Sequence, residues 1–454
     1  MQAGLLRKLA TEIKDTAKHP RSILKGALFR NTAILLSGDA SARLISLASL
    51  TITVRSLGPE YFGMLALAET YAKLVDRIVN FQSWSGVIKY GSEALQDERR
   101  EDMPSLVMAG YKLDILSAIV GFFLAYSLVP QVAKYFGWKQ EMVLAAKTYT
   151  FLILMNITGT PTGILRLTEN FNLLAKQRII YSFLRFGAVT YAAITGGALI
   201  RFILAWLLSE ITGYVVLNSY AFKIIKRNNW LPSKGRIKGA PKGFLPFVLW
   251  TNLASTVNVP IRFLDIFLVS SIVSVQAAGI YKVFQQISHV LKKPAEPLGQ
   301  VVFPYFSKLI AEKSYKNLIL SGGKILLLVS FGAFFGATLL GLSAGWWLPG
   351  IFGEGFRPFV FYFFLYIVVQ ALAVAVIPVD ALFIALGLVQ KNFIIQLLAN
   401  ISFLVSAYVL GRHFGLQGII LALAIHPIII ATMKATLAVK EINENAFRDR
   451  GKHL

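Results

Sequence analysis

Hydrophobic residues run in long blocks along this chain, broken by short polar turns. The blocks of 18 or more apolar residues predict membrane-spanning helices over roughly 31–55, 62–94, 105–129, 142–166, 173–197, 200–224, 244–272, 279–307, 318–343, 357–386, 391–411 and 416–438. Twelve spans of this kind make an all-α polytopic membrane protein. The second and eighth are long enough to tilt or to project from the bilayer. Residues 225–243, rich in Gly, Pro and Lys and without apolar periodicity, read as a flexible linker. They divide the chain into a basic amphipathic segment (1–30), a six-helix lobe (31–224), the linker, a second six-helix lobe (244–440) and a tail (441–454).

One stretch breaks the apolar pattern. Glu69, Lys73, Asp76, Arg77 and Asn80 recur at spacings of three and four within the second span, so they share one helix face. A charge facing lipid at a helix centre costs about 2.5–3.5 kcal/mol. Such a stripe is stable only against protein or water, so it predicts a polar cavity inside a bundle. An offset of 216 residues places Gly63 on Gly279 and lays this stripe over a second one: Gln285, His289, Lys292, Lys293 and Glu296. The first and seventh spans correspond more loosely, with Asp39, Arg43 and Ser46 on one face and Asn258, Arg262 and Asp265 on the other. Parallel repeats put a binding site at the interface between halves.

Composition sharpens the assignment. Charged residues are only 15% of the chain and hydrophobic residues 56%, against about 25% charged in soluble domains. The net charge of +23 is spread over short loops, which fits anionic lipid and argues against nucleic acid. Lys and Arg collect in the segments before the first span, after the second, fourth and sixth spans, and in the linker. That bias predicts both termini on the cytoplasmic side of the inner membrane. Residues 1–30 read either as an interfacial helix or as a basic tail. No cysteine is present, and no signal-peptide pattern opens the chain. The histidines show no metal-ligand spacing, and Gly322-Gly323-Lys324 lacks the upstream glycine of a phosphate-binding loop. No cofactor, metal site or catalytic residue is therefore expected, and the chain does not read as an enzyme.

Leu57-Gly58-Pro59-Glu60-Tyr61-Phe62-Gly63 resembles the Leu-Gly-x-x-x-[Phe/Tyr]-Gly signature of Wzx-like oligosaccharide flippases of the MOP superfamily. The span layout and the basic mid-chain linker continue the resemblance over nearly the whole chain. It implies two six-helix bundles arranged as a V, as in the MATE-like fold. It also implies movement of a lipid-linked oligosaccharide from the cytoplasmic to the outer leaflet for cell-surface polysaccharide synthesis. The implied partners are that lipid, membrane lipids and the polysaccharide polymerase machinery. A pyrophosphate head needs fixed cations to replace its hydration, and the inward-facing candidates are Arg43, Lys73, Arg77, Arg262, Lys282, Lys292 and Lys293. Without a nucleotide site, an ion gradient is the energy source, with Asp39, Glu69, Asp76, Asp265 and His289 as candidate carriers. The competing roles are structural: Asp39 and Asp265 could equally neutralise Arg43 and Arg262. Two other functions compete. A MATE-like drug or metabolite exporter would carry organic cations and favour an anionic cavity. A membrane glycosyltransferase or polymerase would need a large outer catalytic loop, and the outer loops here are short.

Overall fold

A computed structural model describes residues 21–231, 239–256, 259, 263–292 and 295–451 of the chain. Among these residues every regular element is helical, as a bilayer demands of a chain that must satisfy its own backbone hydrogen bonds. Sixteen α-helices follow in order: α1 (Arg21–Val79), α2 (Ser83–Gln96), α3 (Met103–Phe136), α4 (Gln140–Met155), α5 (Gly159–Leu167), α6 (Phe171–Ile194), α7 (Leu199–Arg227), α8 (Phe244–Thr256), α9 (Asp265–Ile272), α10 (Val275–Lys292), α11 (Glu296–Ala311), α12 (Tyr315–Leu342), α13 (Ala344–Phe352), α14 (Val360–Ala375), α15 (Ile377–Ala385) and α16 (Val389–Gly451). A 3₁₀ segment, Glu354–Phe359, joins α13 to α14.

Five helical stretches among the described residues are long and apolar enough to cross a membrane, and the α4–α5 pair, bent by 41°, makes a sixth. The other expected spans are divided differently. The first and second run together as α1, folded at Gly58, whose backbone (φ 71°, ψ 169°) leaves the helical region just before Pro59. Only a glycine reaches that conformation cheaply. The second span breaks again at 80–82 before α2 begins. The seventh is two helices, α8 and α9, and the eighth is α10 and α11. α16 folds in the same manner as α1, at Gly415 (φ 59°, ψ −135°).

The helices form two bundles. In the first, Phe62, Leu65, Tyr149, Phe202 and Trp206 pack with almost no exposure. In the second, Phe284 meets Phe363 edge-on, with ring centroids 5.2 Å apart, beside Tyr281, Tyr366 and Phe403. The large apolar side chains left exposed, such as Leu327, Leu328 and Phe331 on α12, mark the lipid-facing surface. Lipid is as apolar as these cores, so close van der Waals packing holds the helices together rather than escape from water. α8 follows the linker in sequence but packs on the first bundle. Gly86 of α2 leaves the space that Phe244 and Val248 occupy, and Tyr90 packs edge-on against Phe244 at 5.9 Å.

The two bundles touch closely at the end that carries the Gly58 turn. A Cβ on Gly63 would lie 2.1 Å from the Val275 carbonyl oxygen, and one on Gly279 would lie 2.2 Å from the Pro59 oxygen and 3.0 Å from Gly63 Cα. The two glycines related by the 216-residue offset thus cross backbone to backbone. Arg55 reinforces the contact, donating from Nε to the Ile351 oxygen at 2.8 Å and from Nη2 to the Gly350 oxygen. Phe267 packs against Phe136 and Trp138 across the same seam, with centroids 5.7 Å and 6.4 Å apart.

Replacing Gly279 by Val must push this crossing apart, at a cost of about 1–3 kcal/mol to the closed arrangement. The cysteine-free background permits a direct check. In proteoliposomes, a cysteine placed at Gln286 should react with a membrane-impermeant maleimide from the Gly58 side faster in the Gly279→Val variant, by roughly 5- to 150-fold. Equal rates in both backgrounds would show that the glycine crossing does not hold this end shut.

Candidate functional site

Below the glycine crossing the bundles diverge around a cavity of about 750 Å³. α1 contributes Arg43, Glu69, Thr70 and Lys73 to its wall. α9 and α10 contribute Asp265, Lys282, Gln285, Gln286, Ser288, His289 and Lys292. α14 and α16 complete it with Tyr366, Gln370 and His426 among others. Among the described residues, four Lys or Arg side chains therefore line the cavity against two carboxylates.

The charges are not equivalent. Lys73 Nζ lies 2.8 Å from Glu69 Oε1 and 2.8 Å from Glu210 Oε1 of α7. Lys282 Nζ approaches the other oxygen of Glu69 at 3.6 Å and donates to Thr70 Oγ1 at 3.1 Å. Glu69 thus bridges the two bundles, with Lys73 on its own helix and Lys282 across the cavity. Tyr149 donates to Glu210 Oε2 at 3.3 Å. Two acids and two ammonium groups form one largely neutral network at the closed end of the cavity, the arrangement that makes buried ions tolerable.

Three other carboxylates, Asp265, Asp76 and Asp114, take hydrogen bonds from neutral groups. Asp265 accepts from Tyr281 OH at 2.7 Å, Gln285 Nε2 at 2.7 Å and the Ile266 amide at 2.8 Å. Asp76 accepts from Asn156 Nδ2 at 2.7 Å and Asn80 Nδ2 at 3.3 Å. Asp114, almost fully buried, accepts from Ser83 Oγ at 2.5 Å and the Thr160 amide at 2.7 Å. Ser83 and Thr160 stand at the first turns of α2 and α5, so Asp114 caps the amide end of α5 and ties it to the start of α2 through the Ser83 hydroxyl.

The structure brings Arg43, Lys73, Lys282, Lys292, Glu69, Asp265 and His289 to one cavity. Asp76 points into the first bundle toward Asn156, and Arg77 is half-buried and absent from the cavity wall. The stripe from Glu69 to Asn80 therefore divides: its first turn faces the cavity and its last turn ends at the helix break. Arg262 and Lys293 lie outside the described residues, as does the side chain of Asp39. Three charged groups gained importance only in three dimensions. Arg185 of α6 is buried against the Trp206 ring at 3.5 Å and donates to Tyr181 OH. Glu210 joins the Lys73 network. Lys434 of α16 is buried and donates to Asp380 Oδ1 at 2.6 Å. Their signal in the sequence is a single charge within an apolar span, without a stripe around it.

The Lys73 network can be tested by stability. Lys73→Met strands Glu69 and Glu210, at a cost of about 2–4 kcal/mol; the cost is held down because the Lys73 side chain is 33% exposed. Adding Glu210→Gln should recover part of the loss in thermal unfolding of the purified protein. Strictly additive losses would show that the two groups are not coupled.

Comparison with known proteins agrees with this architecture. The sequence model of the family described as polysaccharide biosynthesis protein matches residues 28–310. Inner membrane protein YghQ of Escherichia coli (strain K12) is 27% identical over 332 residues, 70% of this chain and 92% of that protein. Teichuronic acid biosynthesis protein TuaB of Bacillus subtilis (strain 168) is 24% identical over 251 residues, 54% of this chain and 49% of that protein, so the match spans about half its length. Among solved structures, an inward-facing multidrug resistance MATE transporter of the MOP superfamily overlays with a TM-score of 0.74 at 14% identity, covering 89% of this chain and 95% of that one. An outward-facing one gives 0.52 at 16% identity, with 92% and 96% covered. A MOP transporter from Pyrococcus furiosus, described as having a binding pocket of reversed polarity, gives 0.60 at 15% identity, with the same coverage. The structural likenesses show the fold, which these MATE-like structures share. With a family match over more than half of its length, the chain belongs to the polysaccharide biosynthesis protein family, the Wzx-like flippases.

Proposed function

We propose that the protein carries a polyprenyl-pyrophosphate-linked oligosaccharide from the cytoplasmic to the outer leaflet of the inner membrane, for cell-surface polysaccharide synthesis. The observation that carries this reading is the excess of Lys and Arg over carboxylates among the described residues of the cavity between the bundles. An anionic head sheds its hydration only where fixed cations replace it. An exporter of organic cations needs the opposite balance. Both termini then lie in the cytoplasm, where the basic linker and loops face anionic lipid. In that orientation the glycine crossing closes the outer side and the cavity opens inward. The better overlay on the inward-facing relative supports the same reading. Transport proceeds by rocking of the two bundles, which breaks the Gly63–Gly279 crossing and closes the opposite end. The polymerase that extends the polysaccharide is the downstream partner.

An ion gradient supplies the energy. Asp76 and Asp265 suit the carrier role better than Glu69, because each is held by neutral donors. A proton or sodium ion can reach them without breaking an ion pair. Asp39 and His289 remain in the same proposal, His289 from an exposed position on the cavity wall.

A strain lacking the gene should lose its surface polysaccharide and accumulate the lipid-linked intermediate inside. Complementation with a Lys292→Ala variant should restore export at least about tenfold less well than the wild type, since charge-assisted contacts contribute about 1.5–3 kcal/mol each. Normal surface glycan in the deletion strain, together with raised drug sensitivity, would overturn the reading in favour of a drug exporter.

A further inference from the structure

A groove of about 510 Å³ runs along the first bundle between the α4–α5 bend and α7. Met155 and Ile157 form one wall, and Ile211, Val215, Asn218 and Phe222 of α7 form the other. Met155, Val215 and Phe222 are exposed, so the groove opens toward the membrane. Its described walls share no residue with the cavity between the bundles. Along α7 the lining runs from Ile211 to Lys223, about 18 Å at 1.5 Å per residue. One leaflet of hydrocarbon is about 15 Å thick, half of a bilayer core. The groove therefore has the length of one acyl chain.

Its middle suits hydrocarbon. Asn218 Nδ2 donates to the Ile157 oxygen at 2.8 Å and to the Tyr214 oxygen at 3.0 Å. Ser219 Oγ donates to the Val215 oxygen at 2.8 Å. Both side chains thus make their hydrogen bonds within the protein and leave an apolar wall. The end of the groove is different. Lys223 closes it, and Lys226 and Arg227 follow one turn further on the same side of α7. All three are exposed. Residues 211–264 include no Asp or Glu, so no acid of this part of the helix or of the linker balances them. The second bundle lacks such an ending. The 216-residue offset lays α7 on the last part of α16, where Val439, Ile442 and Asn443 replace Lys223, Lys226 and Arg227. The helix packing itself therefore does not require the three cations.

We infer that this groove holds one anionic phospholipid of the inner leaflet, with an acyl chain along α7 and the phosphodiester against Lys223. Lys226 and Arg227 stand beside the headgroup and favour a lipid with net negative charge over a zwitterionic one. The choice of leaflet rests on the orientation proposed above; the binding chemistry does not depend on what the central cavity carries. The lipid also has a mechanical task. The 41° bend of α4–α5 leaves a gap against α7, and an acyl chain in that gap restores the van der Waals contact that holds helices together in a bilayer.

Binding can be measured on the purified full-length protein, delipidated in detergent micelles and titrated with phosphatidylglycerol or phosphatidylcholine. Native mass spectrometry counts the lipids retained. The wild type should hold one phosphatidylglycerol, at least about tenfold more tightly than phosphatidylcholine. Lys223→Gln should weaken phosphatidylglycerol about fivefold, and Lys223→Gln with Arg227→Gln roughly 30-fold. Lys324→Gln, an exposed cation of the second bundle, should leave binding unchanged. Ser219→Trp fills the groove from an exposed position and should abolish tight binding although every cation remains. Thermal unfolding without lipid checks that each variant is folded. Added phosphatidylglycerol should raise the unfolding temperature of the wild type and not of Ser219→Trp. Equal affinity for the two lipids, or wild-type affinity in the double variant, would overturn the site. Tight binding that survives Ser219→Trp would reduce the cations to a diffuse basic surface and overturn the groove. Displacement by an equal amount of undecaprenyl phosphate would give the groove to a polyprenyl chain and overturn phospholipid as its occupant. These readouts use no transport, so their failure is distinct from a failure of the proposed export function.

Discussion

The backbone crossing of Gly63 and Gly279 is the constraint on which the rest of the structure depends. No side chain fits between Pro59–Gly63 and Val275–Gly279, so the two bundles meet there at helix-backbone distance. Everything below follows from that pivot. The helices diverge away from it, and the divergence creates the large cavity. The next turns of the same two helices carry Glu69, Lys73 and Lys282, which places the inter-bundle ion pairs directly beneath the crossing. Arg55 and Phe267 seal the same end with contacts that involve few side chains. α1 and α10 continue this seam as one apolar cluster, in which Leu65, Ala66 and Tyr71 of the first bundle join Ile280, Tyr281 and Phe284 of the second.

Polar groups inside the protein fall into two sets with different physical tasks. One set lines the interface and, among the described residues, is dominated by cations, of which Lys73 and Lys282 are paired with Glu69 and Glu210. The other lies within the first bundle. There Asp76, Asn156, Ser83, Asp114 and Thr160 form a polar belt between two apolar clusters, one holding Tyr149, Ile153 and Val129 and the other Val87, Leu106 and Ile164. Both α1–α2 and α4–α5 break at this belt. Broken helices expose backbone amides, and at the start of α5 the buried Asp114 carboxylate takes the Thr160 amide. The inner block of the bundle also carries α8, so the part of the chain nearest the linker is tied to the first bundle even though it begins the second half.

Much of this was legible in the sequence, because a bilayer imposes simple rules. Apolar blocks of fixed length gave the helical class, and the cost of a charge in hydrocarbon marked Glu69, Lys73 and Lys282 as facing something other than lipid. The 216-residue offset paired Gly63 with Gly279 before their contact was known. The short glycine-containing motif at Leu57–Gly63 marked the family, since it encodes the turn and the crossing together. These are local properties: periodicity, spacing and transfer cost need no knowledge of the partner helix.

What the tertiary structure alone decided is pairing. Whether a buried cation binds cargo or balances an acid depends on which carboxylate lies within 4 Å, and those acids sit on other helices. Lys73 is claimed by Glu210, 137 residues away by the numbering of the chain, whereas Arg43 and Arg185 meet at one pocket from helices that share no motif. Helix breaks were equally hidden, because the groups that meet at them, such as Asp114 with Ser83 and with the Thr160 amide, come from separate helices. The sequence determined that charges must be sheltered in this membrane protein. Only the packing of helix against helix decided which acid stands beside which cation.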